Sequence, residues 1–107
     1  MINIEDFRKI ELRIGQIKEV NDHPNADRLY VIVIDLGDRT KQVVAGIKGS
    51  YAAKEELIGK QVVVVDNLEP AMLRGVESQG MLLAASDESG IAIVSPEKKI
   101  TLGSVVK

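Results

Sequence analysis

The sequence predicts an all-β protein: one small closed barrel of five strands, with a short helix between the third and fourth strands and a C-terminal extension. Three observations predict it. Ile10, Leu12 and Ile14 alternate with Glu11 and Arg13, the period-two pattern of a strand with one buried face. The elements run strand, strand, strand, short helix, strand, strand. The alternation in the first strand slips phase at Gly15-Gln16, as a bulge or sharp bend in a long strand requires.

Each element has its own signal. "NIEDFRK" predicts one helical turn, with Asn3 as cap and Asp6 three residues on. Ile10, Leu12 and Ile14 alternate with Glu11 and Arg13 as the first strand, and Ile17 and Val20 follow in the shifted phase. "NDHPNAD" is turn chemistry throughout. "RLYVIVIDLG" is the second strand, "GDRT" a turn, and "KQVVAGI" the third strand. "SYAAKEELIGK" predicts a short helix whose apolar face is Ala53, Leu57 and Ile58 and whose stop is Gly59. The unbroken valines of "QVVVVDNL" predict a fourth strand buried on both faces. "GMLLAAS" is the fifth strand, "DESG" turns the chain, "IAIVS" extends again, and "PEKKITLGSVVK" is a tail with strand-like pieces. Three hairpin-linked strands, a helix before the fourth and a long bent first strand are the pattern of an OB-fold Greek-key barrel. One domain over residues 1–107 is expected.

Composition narrows the function. Net charge is −2, so any nucleic-acid binding must come from a local patch and not from the global field. Phe7, Tyr30 and Tyr51 are the only aromatics. That is too few for a face that stacks successive bases, but it leaves binding of a folded RNA by shape open. The chain has no cysteine, which removes disulfides and thiolate chemistry and suits a reducing cytoplasm. No apolar run approaches the roughly 20 residues of a membrane span. "MINIEDFRK" lacks the basic flank and apolar stretch of a signal peptide. A cytoplasmic protein with no membrane partner is expected.

His23 is the only histidine. Asp22 and Asp27 flank it, but a metal site needs further convergent ligands, so "NDHPNAD" reads as a turn fixed by Asn and Asp side chains. No nucleophile has a partner base, and no metal, cofactor or catalytic site is expected. Arg39 and Lys41 are either solvated turn charges or phosphate contacts at one edge of the barrel. The segment "NLEPAMLRGVESQG" is longer than a hairpin connection needs, and long ordered loops are often functional. Arg74 is the only cation between Gln61 and Glu97, among six acidic side chains. Its planar fork suits phosphate or a base edge; otherwise it pairs with Glu69 or Glu77. Met72 and Met81 either fill the core or offer soft apolar surface to a ribose or base. The apolar residues of the tail, Ile91, Ile93, Val94, Ile100, Leu102, Val105 and Val106, exceed what a lone small barrel has room for, so a homodimer is expected with the tail from about residue 91 at its interface.

"DFRKIELRIGQI", "HPNADRLYVIVIDLG", "KQVVAGI" and "YAAKEELIGKQVVVVDNLEPAMLRGVESQGMLLAA" together resemble the OB-fold tRNA-binding domain. That domain occurs at the C-terminus of many methionyl-tRNA synthetases, in free-standing structure-specific tRNA-binding proteins, and in the cytokine-related auxiliary proteins of animal synthetase complexes. The resemblance runs from about Asp6 into the tail, with the HPxAD turn and the NLxPxxLRGxxSxGMLLAA block in order. It implies binding of tRNA by shape, near the elbow and outer corner, as a homodimer that raises the tRNA affinity of a methionyl-tRNA synthetase catalytic chain in cis or in trans. It places RNA contacts on Arg28, Lys41, Gln42, Asn67, Arg74, Ser78 and Met81. Glu69 and Met72 stand where family members often carry lysine, which implies a weaker electrostatic contribution. The related export chaperone CsaA, which has the same fold and binds unfolded peptides, is the alternative.

Overall fold

The structure, a computed structural model, describes residues 1–107. The chain begins as its chemistry dictates. Asn3, with extended backbone, accepts the Asp6 amide at 2.9 Å and starts helix α1, Ile4–Arg8. Strand β1, Leu12–Asp22, is longer than the alternation indicates and runs through Asn21 and Asp22. β2 is Tyr30–Asp35, β3 Thr40–Ala45 and β4 Gln61–Val65. The sheet order is β3-β2-β1-β4-β7, with β7 at Met81–Leu82, and β10, Val105–Val106, also pairs with β1. This curled antiparallel sheet is the expected OB-like path.

The phase slip at Gly15-Gln16 has a different cause from the one expected. The register of β1 against β2 shifts between Ile17 and Glu19, so the bulge is at Lys18. At Gly15-Gln16 the strand instead changes which face is buried. Leu12 and Ile14 pack in a small outer cluster with Val63 and Val65, whereas Ile17 and Val20 face the main core with Val62 and Val64. Side chains at positions of opposite parity point to opposite faces, so β4 is buried on both, as its valine run predicts. A Cβ at Gly15 would lie 2.4 Å from Ile34 Cγ2, so glycine is what lets β2 curl over β1 here.

Two further expectations change. The helix over Ser50–Lys60 contracts to one 3₁₀ turn, Lys54–Glu56. Leu57 after it is fully buried and closes the base of the core; Ile58 stays exposed, so no longer amphipathic face exists to bury. The expected fifth strand is divided into β7 and β8, Ala84–Asp87, and β8 forms a hairpin with β9, Gly90–Ile93. The long loop before it contains a hairpin of its own: β5, Ala71–Leu73, against β6, Val76–Ser78.

The barrel closes between β3 and residues 78–80, and it closes largely through side chains. The Gln79 amide donates to the Gln42 carbonyl at 2.8 Å, and the Gln42 amide donates back to Gln79 Oε1 at 2.9 Å. The Val44 amide donates to Ser78 Oγ at 3.0 Å, and that hydroxyl donates to the Gly80 carbonyl at 3.0 Å. A Cβ at Gly80 would sit 2.9 Å from the Val65 carbonyl oxygen, so only glycine lets the chain pass β4 at this distance. Ser78→Ala would leave the buried Val44 amide without a partner, at a cost of about 1–3 kcal/mol. Urea denaturation should show the midpoint falling accordingly. An unchanged midpoint would mean that Ser78 does not hold the seam.

Candidate nucleic-acid interface

The β5–β6 hairpin turns in two residues, Arg74 and Gly75, with Leu73 paired to Val76 on either side. Both turn residues have positive φ, 54° and 89°. That is the primed turn whose twist matches antiparallel strands, and it normally takes Asn-Gly or Asp-Gly. Arg74 is the only non-glycine residue at positive φ, a conformation that costs an L-residue roughly 1 kcal/mol or more. The sequence signal was present as a two-residue Arg-Gly step between Leu73 and Val76.

The tip of the hairpin leans on the turn between β1 and β2. His23 Nε2 lies 2.8 Å from the Leu73 carbonyl oxygen, and Asn25 Nδ2 donates to the Arg74 carbonyl at 3.1 Å. This contact brings exposed Arg28, in the same turn, to the end of the barrel that carries Arg74. His23 is buried with both ring nitrogens engaged. The sequence reading took it only as part of a turn and had no means of pairing it with a hairpin fifty residues away.

Seven of the fourteen cations are compensated by ion pairs. Arg39 contacts Asp38 and Asp66, and Lys41 lies 2.7 Å from Asp66 Oδ1. Lys48 and Lys54 both bind Asp22 at the end of β1, at 3.1 and 3.0 Å. Hydrogen bonds from Lys54 and then Lys48 hold the Asp22 carboxyl below its ordinary range, and Asp22 raises Lys54 in return. Arg74 and Arg28 appear in none of the molecule's ion pairs. The expected alternative for Arg74, pairing with Glu69 or Glu77, is therefore not what the structure shows.

The remaining expected contact residues are placed as follows. Lys41 is half-buried and donates to the Asp66 and Gln79 carbonyls. Gln42 belongs to the seam, and its side chain donates to the Glu77 carbonyl at 2.8 Å. Asn67 accepts the Glu11 amide at 2.9 Å and donates to the Lys9 carbonyl at 2.7 Å, tying the loop to the end of α1. Ser78 is buried in the seam. Met81 is exposed but lies away from Arg74, in an apolar groove of about 520 Å³ lined by Phe7, Ile10, Leu68 and Leu83. Met72, on β5 beside the tip, is 65% exposed, so neither methionine fills the core.

The barrel, with the Arg74 fork outside any ion pair on a hairpin at one end of it, is that of a binding module of the oligonucleotide-binding class. The chain belongs to the tRNA binding domain family, whose pattern matches residues 12–105. It is 55% identical over 106 residues to the methionine–tRNA ligase of Thermococcus kodakarensis, and 55% identical over 106 residues to that of Pyrococcus furiosus. Each match covers 99% of this chain and 14% of the ligase, so the chain spans about a seventh of the length of these relatives. Among solved structures, a methionyl-tRNA-synthetase-related protein of Pyrococcus horikoshii superposes with a TM-score of 0.90 at 30% identity, covering 100% of this chain and 98% of that one. The chaperone CsaA of Bacillus anthracis superposes with a TM-score of 0.91 at 29% identity, covering 100% and 99%. The protein is a tRNA-binding domain that matches the one carried by methionine–tRNA ligases. No helix is long and apolar enough to cross a membrane.

Arg74 tests the turn geometry apart from any ligand. Glycine would remove the left-handed penalty but lose more chain entropy, two opposing effects of about 1 kcal/mol each. Arg74→Gly should therefore melt close to the parent. Arg74→Val, β-branched at positive φ, should lose about 1–3 kcal/mol of stability. Equal melting of the two variants would contradict the positive φ.

Proposed function

We propose that this domain holds folded tRNA against the end of the barrel that carries Arg74 and Arg28, and that it does so for a methionine–tRNA ligase, in cis or in trans, in the cytoplasm. The observation that carries the reading is the fork of Arg74, held on a two-residue turn outside every ion pair, while Lys48 and Lys54 at the end of β1 are paired with Asp22. A guanidinium makes two parallel bonds to a phosphate or a guanine edge. Met72 beside it offers flexible apolar surface. Lys41, Asn67 and Ser78 have their polar groups met within the fold, and Gln42 Nε2 is engaged by the Glu77 carbonyl, so their part in RNA binding is to fix the shape of the loop. Tethering such a module adds binding energy remote from the reaction site, which lowers the effective dissociation of tRNA without new chemistry.

The peptide-binding alternative rests on the CsaA likeness, at 29% identity against 55% for the ligases. Titration with bulk tRNA, a polypyrimidine strand and an unfolded polypeptide of matched charge separates the two readings. Intact tRNA should bind tightest. Arg74→Ala should weaken it about tenfold or more, with a shallower salt dependence if the contact is to phosphate. Arg74→Lys should recover only part of the loss. Unchanged affinity in Arg74→Ala would sink the reading.

We also propose a homodimer, on a specific surface. Some of the tail's apolar side chains are used within the chain: Ile91 and Ile93 pack on the main core, and Leu102 and Val106 on the outer cluster. Ile4, Ile10, Leu68, Met81 and Val105 remain exposed. They edge two adjoining grooves that share Phe7, Ile10 and Leu12. A continuous apolar face of this kind is what an isologous interface covers. Sedimentation should give a dimer at micromolar concentration, and Met81→Asp should give a folded monomer. A monomeric parent would refute the proposal.

A further inference from the structure

We propose that His23 and Asn25 are positioning residues for tRNA binding, forming a latch from the β1–β2 turn that holds the Arg74 tip in its binding geometry. The inference rests on the reading that Arg74 contacts tRNA. The β5–β6 hairpin pairs with no other strand and has three residues on each side. A lone two-stranded hairpin is marginal in water. Its base is secured at Glu77, Ser78 and Gln79 by β3. Its tip is secured by the turn alone.

The latch takes the two successive carbonyls at the tip. The Asn25 amide donates to His23 Nδ1 at 2.9 Å, so that nitrogen carries no proton. Nε2 therefore carries it, and donates to the Leu73 carbonyl at 2.8 Å. Asn25 Nδ2 donates to the Arg74 carbonyl at 3.1 Å. A Cβ at Gly75 would reach Asn25 Nδ2 at 3.6 Å, so the turn sits directly against the side chain that holds it. Pro24, between the two latch residues, fixes its own φ and narrows what the turn can adopt. His23 is 6% exposed, and hydrogen bonds made by a buried group resist competition from water. An arginine on a free tip would have to be ordered at the moment of binding. One on a latched tip is ordered in advance, and most of the gain from preorganisation is this avoided cost.

A purely structural role would lower stability and leave binding losses independent of Arg74. A positioning role makes the two losses overlap. The experiment is a double-mutant cycle on tRNA affinity, with melting temperature recorded for every variant. Arg74→Ala should itself weaken binding about tenfold. In the parent, His23→Ala should weaken binding roughly five- to tenfold, and Asn25→Ala, whose bond is exposed, about two- to threefold. In the Arg74→Ala background both losses should shrink to less than about twofold. His23→Gln places an amide near the Nε2 position and should recover part of the loss through the Leu73 carbonyl. If His23→Ala fails to fold, His23→Gln and Asn25→Ala carry the cycle. Full additivity with Arg74→Ala overturns the latch while leaving the Arg74 reading intact. If Arg74→Ala does not weaken binding, that reading falls and takes the latch with it.

Discussion

The geometry of the molecule depends on one closure. A β-barrel of this size must join the edges of its sheet, and here residues 78–80 meet β3 without forming a regular ladder with it. Ser78 and Gln79 replace the missing backbone partners with a hydroxyl and an amide, so that the Val44 and Gln42 amides are both met. This is why polar residues stand in the middle of the loop, and why their polarity does not by itself mark them as ligand contacts. The same closure turns the chain sharply at Gly80 and projects the preceding hairpin from the end of the barrel.

Beneath the seam lies a buried carboxylate. Asp66 ends the valine run of β4, is 8% exposed, and receives Arg39 on one oxygen and Lys41 on the other. The Lys41 ammonium approaches Oδ1 without hydrogen-bond alignment, so that contact is Coulombic. A buried charge cluster contributes less to stability than its contacts imply, because desolvation opposes it. Its consequence for function is one of allocation. Two cations that the sequence places at the barrel edge are committed to an internal carboxylate, just as Lys48 and Lys54 are committed to Asp22. In a chain of net charge −2, the field available to a polyanion narrows to the seven of fourteen cations that no ion pair engages, Arg74 and Arg28 among them. On the proposed reading, selectivity for a folded RNA comes from where those cations stand and not from how many there are.

The two exposed surfaces are chemically distinct. The hairpin end offers a fork on a left-handed turn held by the His23 and Asn25 side chains, with exposed Met72 of β5 beside it. The α1 side offers aliphatic side chains around Phe7, with Met81 among them. The family resemblance places Met81 and Arg74 in one set of RNA contacts. The fold separates them, since the hairpin carries Arg74 outward before the chain returns to pair Met81 with Val65.

The fold class, the capped first turn, the first four strands and the double burial of β4 are legible in the sequence. All of these follow from local periodicity and from residues with strong conformational preferences, which act over a few positions along the chain. The sequence also isolated Arg74, because an unmatched cation in an acidic segment is visible in one dimension. Which polar residues face inward depends on contacts between distant segments. Ser78, Gln42 and Asn67 have the composition of ligand contacts, and their partners, Val44, Glu77 and Glu11, are distant in sequence or set by strand register. The face change at Gly15, the Lys18 bulge and the pairing of His23 with Leu73 were likewise decided by closure. Hydrogen-bond satisfaction of a buried group depends on what folds against it, and no pattern within a single segment carries that information.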